Sequence, residues 1–157
     1  MVFTVEIRRK AMDLLALREH SAKELKDKLL RKFESGDEIT VVIAQLQEDG
    51  LQSDARFAEA FCRQRVASGY GPLRIKMELA QRGVDQSLGD AYFQQHPEDW
   101  FERCEQVRLK KFGDWPKPQA EERTLEGLKQ AQKEKARQQR FLYSRGFPPS
   151  IINEILS

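Results

Sequence analysis

A weak self-similarity that returns three times constrains the fold of this chain more than any other feature. Three amphipathic, basic segments can be overlaid: SAKELKDKL at 21–29, GPLRIKMEL at 71–79 and EKARQQRFL at 134–142. Each leads, directly or through a further helix, to a glycine followed by a hydrophobic residue; these turns are Gly50-Leu51, Gly83-Val84 and Gly146-Phe147. Repetition at this spacing is typical of stacked helical units and unlike an enzyme built around one pocket.

Apolar residues recur at helical spacing along the chain, and no alternating strand pattern appears. A first helix is predicted over 4–19. The apolar stripes are too narrow for one trio of helices to bury its own face, so neighbouring trios are expected to pack together. We therefore expect an all-α fold, an elongated curved array of three tandem three-helix repeats over residues 1–50, 51–96 and 97–157.

Capping and turn residues predict where the helices begin and end. Ser21 and Glu24 form a capping box at the start of helix 2, which Gly36 is expected to end. Pro97 is expected to open helix 7, and a long polar helix is predicted over 119–145. The apolar stripes of helices 2 and 3 comprise Leu25, Leu29, Leu30, Phe33, Ile39, Val42, Ile43 and Leu46.

The charged residues are numerous but nearly balanced. Lys and Arg number 27 against 25 Asp and Glu, which gives a net charge of +2, so tight autonomous binding to nucleic acid is not expected. Basic residues nevertheless cluster, as over 60–84, where Glu78 is the one acidic residue. Clustered positive charge favours a polyanionic or acidic partner.

Two cysteines, Cys62 and Cys104, lie in apolar helical patterns and lack CxxC spacing. They are expected to be small buried hydrophobes in a reducing compartment. No signal peptide is evident, and no apolar run approaches the roughly 20 residues of a membrane span. We expect a cytoplasmic protein that does not contact a membrane.

Four spaced motifs resemble the RecX family of bacterial regulatory proteins. They are LREHSAKEL at 17–25, GLQSDARFA at 50–58, GYGPLRI at 69–75 and QRFLYSRGF at 139–147. They follow one another in the family's order and span nearly the whole chain. Together they are far more specific than any one of them alone.

The resemblance implies a modulator, usually a negative one, of the RecA recombinase. Family members are built from tandem three-helix repeats and are understood to lodge in the groove of the RecA filament on single-stranded DNA. There they oppose filament growth or activity, and so affect recombination, DNA repair and the SOS response. The expected partners are therefore the RecA filament and single-stranded DNA, the latter bound directly or through the filament, and the protein itself is expected to be a monomer.

The candidate partner-binding residues are basic positions that recur on the second helix of each repeat. On this interpretation they form one stripe that meets acidic patches of the recombinase or DNA phosphates. An ordinary solvated helix face is the alternative for each of them. The stripe consists of Lys23, Lys26, Lys28, Arg74, Lys76, Arg82, Arg137, Arg140 and Arg145.

Further candidates lie beside this stripe. Arg63 and Arg65 occupy one face of helix 4, and helix 7 carries Arg108, Lys110 and Lys111. Tyr70, between two glycines, is either an anchor at a partner surface or a plug between helices 4 and 5. The sequence leaves both roles open.

Enzymatic chemistry finds no support in the sequence. His20 and His96 have no second His or Cys at ligand spacing, so no metal is expected. Neither GxxxxGK[ST] nor GxGxxG occurs, and no nucleophile, base and orienting group stand out, so we expect no cofactor and no catalytic residue.

Two other functions compete with the recombinase regulator. An autonomous DNA-binding module would use a short helix pair, but helix 3 begins with Asp37 and Glu38, which phosphates would repel. A structural scaffold for acidic peptides is the other alternative.

Overall fold

The structure, a computed structural model, describes residues 4–114 and 124–157. These residues form nine α-helices and no β-strand, which confirms the all-α prediction. The helices are α1 Thr4–Leu17, α2 Ala22–Leu30, α3 Gly36–Glu48, α4 Asp54–Ala67, α5 Pro72–Gln81, α6 Gln86–Gln95, α7 Trp100–Phe112, α8 Leu125–Arg145 and α9 Pro149–Leu156. None of them is long and apolar enough to cross a membrane, as far as the chain is described.

The chain divides into two compact units. Unit 1 comprises Met1–Gln64 and Lys76–His96, and unit 2 comprises Arg65–Ile75 and Pro97–Ser157. The repeat bounds expected from the sequence stay a prediction.

A hydrophobic core joins α1, α2 and α3 within unit 1. Its members include every residue of the predicted stripes of helices 2 and 3 except Leu30, together with two residues of α1. They are Ile7, Ala11, Leu25, Leu29, Phe33, Ile39, Val42, Ile43 and Leu46. Leu30 was placed in this core wrongly, since its side chain is 43% exposed. One residue turns a helix by about 100°, so Leu30 points away from the side on which Leu29 is buried.

Side-chain caps set several helix starts. The predicted capping box is present, with the Ser21 hydroxyl accepting from the Glu24 amide and the Glu24 carboxylate accepting from the Ser21 amide. The prediction that Gly36 ends helix 2 is wrong: α2 ends at Leu30, and Gly36 is the first residue of α3. Ser35 determines where α3 starts, because its hydroxyl accepts a hydrogen bond from the Glu38 amide, which has no carbonyl partner within the helix.

Helix 7 also begins later than predicted. It starts at Trp100 rather than Pro97, because the Asp99 carboxylate accepts from the Glu102 amide at 3.1 Å and caps the helix there. The long polar helix begins at Leu125 after a Thr124 cap, while predicted residues 119–123 lie outside the described part of the chain.

One turn geometry recurs after α3, α5 and α8 and explains the repeated Gly–hydrophobic pairs. Gly50, Gly83 and Gly146 have φ angles of 73°, 73° and 96°, a left-handed conformation that favours glycine. The next residue then donates its amide back to the helix: Leu51 to Leu46 O, Val84 to Leu79 O, and Phe147 to Leu142 O. This is the Schellman motif, and it confirms these glycines as helix stops.

Unit 2 has its own core between α7, α8 and α9. Cys104, Leu142, Phe147 and Ile152 are buried there, and the Trp100 and Phe147 rings meet edge to face at 6.4 Å. Residues 125–137 of α8 contain no buried side chain, so the first half of this helix is an exposed extension.

Both cysteines are buried, in agreement with the sequence. Burial raises the pKa of the Cys62 thiol and of the Cys104 thiol to about 12 in each case. Both therefore stay protonated at neutral pH and act as apolar side chains.

His20 is a buried polar residue of unit 1 that ties α2 to the preceding turn. Lys28 Nζ donates to His20 Nε2 at 2.9 Å, so the other ring nitrogen, Nδ1, carries the proton and donates to Arg18 O at 3.0 Å. Burial lowers the pKa of His20, and the charges of Arg18 and Lys28 act in the same direction, although the bond to the Arg18 carbonyl opposes it.

We expect the free energy of unfolding to fall as the pH is lowered from about 7.5 to about 5.5. The folded state disfavours a proton on His20, whereas the unfolded state accepts it, so the stability present above the unfolded pKa is lost on acidification. Urea titrations at several pH values measure this. His20→Gln should reduce the pH dependence of the free energy of unfolding, and the control His96→Gln should preserve it. An equally steep pH dependence in His20→Gln would contradict the attribution of this effect to His20.

Candidate functional site

The three predicted lysines of α2 differ in their surroundings. Lys26 is exposed, and no ion pair joins it to another described residue. Lys23 Nζ donates to Gln81 O at 3.0 Å, and Lys28 is held by His20. Lys26 is thus the one of the three whose ammonium group makes no hydrogen bond or ion pair with another described residue.

Arg82 belongs to a joint between two helices of unit 1. The Ser21 hydroxyl, at the start of α2, donates to Arg82 O at the end of α5 at 2.7 Å. The Arg82 guanidinium lies 3.7 Å from a Glu24 carboxylate oxygen and 4.6 Å from the centroid of the Phe61 ring. We call this contact the unit-1 joint; it fixes Arg82 in place.

The other candidates of unit 1 form surface ion pairs. Lys76 lies 3.3 Å from an Asp90 oxygen, and Arg63 lies 2.6 Å from a Glu59 oxygen. Exposed pairs of this kind contribute little to stability, so both cations remain able to exchange partners.

Unit 2 gathers three of the predicted arginines around one ring. The guanidinium carbons of Arg65, Arg74 and Arg145 lie 3.7, 4.6 and 4.6 Å from the centroid of the Tyr70 ring. All four side chains are half-buried. We call them the Tyr70 cluster, in which cation–π attraction offsets part of the repulsion between like charges.

The Tyr70 cluster surrounds a second helix joint, which we call the unit-2 joint. At the start of α5, Gly71 N donates to Arg145 O at 2.7 Å and Leu73 N donates to Gly146 O at 3.0 Å. The Arg74 guanidinium adds a bond to Ser144 O at 2.8 Å. Amides that α5 cannot satisfy thereby meet carbonyls that α8 cannot satisfy, and the positive end of one helix dipole meets the negative end of the other.

The two joints have the same design. In each, the start of one repeat's second helix meets the Gly turn that ends the second helix of the next repeat. Gly71 is required in the unit-2 joint, because a Cβ atom there would lie 2.5 Å from the carbonyl carbon and oxygen of Gly146. In the unit-1 joint a Cβ at Gly83 would lie 2.8 Å from Lys23 Cβ. The overlay of 21–29 on 71–79 contained this correspondence, but nothing in the sequence said that the paired helix ends touch.

The remaining candidates lie on α7 and α8. Arg137 pairs with Glu134 at 3.2 Å, and Arg140 is exposed with no ion pair to another described residue. Arg108 is half-buried, and its guanidinium forms an ion pair with Glu105. Lys110 and Lys111 are exposed.

The chemistry that these residues can perform is recognition of negative charge. Within residues 4–114 and 124–157, no three His, Cys, Asp or Glu side chains form a group that could hold a metal ion. The predicted single stripe stays a prediction. Sequence reasoning did not single out Arg103, which lies with Lys110 and Lys111 along α7.

Three domain profiles of one family match the chain in order. Residues 8–46 match the first three-helix domain of RecX, residues 53–91 the second and residues 97–156 the third.

Curated relatives agree with these matches over nearly the whole chain. "Regulatory protein RecX" of Pseudomonas putida is 42% identical over 154 residues, which cover 98% of this chain and 90% of the relative. "Regulatory protein RecX" of Pseudomonas entomophila is 40% identical over 154 residues, which cover 98% of this chain and 91% of the relative. These names describe regulatory proteins, in agreement with the expectation of a non-enzymatic protein.

Solved structures show the same fold. A crystal structure of RecX from Lactobacillus salivarius gives a TM-score of 0.68 at 20% identity, covering 98% of this chain and 94% of that chain. A crystal structure of regulatory protein RecX gives a TM-score of 0.77 at 19% identity. The match covers 97% of this chain and 72% of that chain. With its three domains matched in order and relatives at 40% identity or more, this chain belongs to the RecX family of regulatory proteins.

Proposed function

We propose that this protein binds the RecA recombinase and its filament on single-stranded DNA and negatively modulates RecA activity. In doing so it restrains recombination, DNA repair and the SOS response, by occupying the filament groove and opposing filament growth. The observation that carries the proposal is the match of all three RecX domains in order, because RecA is the partner that membership implies.

The two classes of cation in the structure support a division of labour within this function. Arg74 and Arg82 hold helix joints together through stacking and hydrogen bonds. Lys26 and Arg140 are exposed and lack ion pairs among the described residues. We infer that the first group shapes the protein and that the second meets the filament, which carries dense negative charge on its DNA.

A direct test measures RecA on single-stranded DNA. Sub-stoichiometric amounts of the protein should slow both ATP hydrolysis and strand exchange, because one molecule in the groove obstructs the growth of many RecA subunits. No change in either activity would contradict the proposed function.

Charge reversal separates the two classes of cation. Lys26→Glu combined with Arg140→Glu replaces two attractions by repulsions, so half-inhibition of RecA should need roughly tenfold more protein, with far-UV circular dichroism unchanged. A dose-response curve of RecA ATPase activity measures this.

The matched control is Arg9→Glu combined with Lys135→Glu. It changes the net charge equally at exposed positions of α1 and α8. Lys135 lies five residues from Arg140 and therefore on another side of α8, about 140° around the helix. Equal loss of inhibition in both double variants would show that net charge, and not these two positions, is what the filament recognises.

A further inference from the structure

We propose that a cleft between α4, α7 and α8 binds phosphates of a single-stranded nucleic acid directly. The α4–α7–α8 cleft has a volume of about 410 Å³ and lies wholly within unit 2. The last residues of α4 and the Val107 side chain form part of its wall. Its charged lining consists of Arg103, Lys110, Lys111 and Arg145.

The charge of the cleft has one sign. Four cations line it, and no Asp or Glu is among its lining residues. Arg103 is oriented by Glu98 at 3.0 Å, a carboxylate outside the lining. An anion in the cleft would therefore meet several positive groups and no lining carboxylate, which is the electrostatic requirement for binding phosphate.

One aromatic ring, that of Phe141, holds two of these cations in position. Lys111 Nζ lies 5.5 Å and the Arg145 guanidinium carbon 5.1 Å from the centroid of the Phe141 ring. Arg145 also reaches Ser68 O at 3.5 Å. Because cations already lie over Phe141, this ring serves to orient them rather than to stack a base. The cleft is therefore suited to backbone phosphates and not to base sequence.

The spacing of the cations favours a nucleic-acid strand over an acidic protein segment. From Arg103 to Lys110 the helix rises by about 10 Å, so a ligand must present several negative charges over that length. Every nucleotide of a strand supplies one charge, whereas a peptide would need a run of acidic residues. The inference rests on the proposed function only in taking single-stranded DNA as the strand.

The test is binding of a short labelled oligothymidylate, followed by fluorescence anisotropy at increasing salt without RecA. Lys110→Ala combined with Lys111→Ala should weaken binding roughly fivefold at low salt, and should reduce the slope of log K against log salt by about 1.4, the value for two lost phosphate contacts. The control Lys129→Ala combined with Lys135→Ala removes two exposed lysines of α8 outside the cleft and should change the slope far less. Equal effects of both variants would overturn the proposal.

Two further measurements separate the possible outcomes. Polyglutamate at matched charge should displace the oligonucleotide poorly; displacement as effective as that by unlabelled oligothymidylate would overturn the preference for phosphate. RecA inhibition without any oligonucleotide binding would contradict phosphate binding in the α4–α7–α8 cleft and would agree with the proposed function. Cleft-dependent oligonucleotide binding without any effect on RecA would support the cleft and contradict the proposed function.

Discussion

The end-to-end contact between second helices of successive repeats is the interaction on which the rest of this structure depends. A helix leaves its first amides and its last carbonyls without partners, and burying them unpaired is costly. In unit 2 the amides of Gly71 and Leu73 donate hydrogen bonds to carbonyls at the end of α8. In unit 1 the Ser21 hydroxyl donates to a carbonyl at the end of α5. Each joint therefore satisfies polar groups that a single repeat cannot satisfy alone.

This constraint accounts for the different roles of the basic residues. A joint needs side chains that can cover a helix end, and arginine does so by stacking on a ring while it donates to carbonyls. Arg82 stacks on Phe61 in unit 1, and Arg145 stacks on Tyr70 in unit 2. The cations outside the joints, such as Lys26 and Arg140, stay at the surface, where partner binding costs no packing.

Much of the fold could be predicted from the sequence because local patterns determine it. The Gly–hydrophobic pairs specified the Schellman turns after α3, α5 and α8, and the Ser21 capping box set the start of α2. Errors arose where one cap competed with another, as Ser35 did with Gly36, or where a residue adjoined the apolar stripe, as Leu30 did. The Tyr70 cluster could not be foreseen, because Arg145 is far from Arg65, Tyr70 and Arg74 in the chain and only the contact of α5 with α8 brings it to the Tyr70 ring.

Hydrogen exchange of the Gly71 and Leu73 amides tests the central claim most directly. First-turn amides of a helix normally exchange quickly, since they have no partner within the helix. If both donate to the end of α8, their protection in the native protein should match that of amides inside α5, and Gly71→Ala should abolish it. Exchange of both amides at the rate of an open first turn in the native protein would contradict the account.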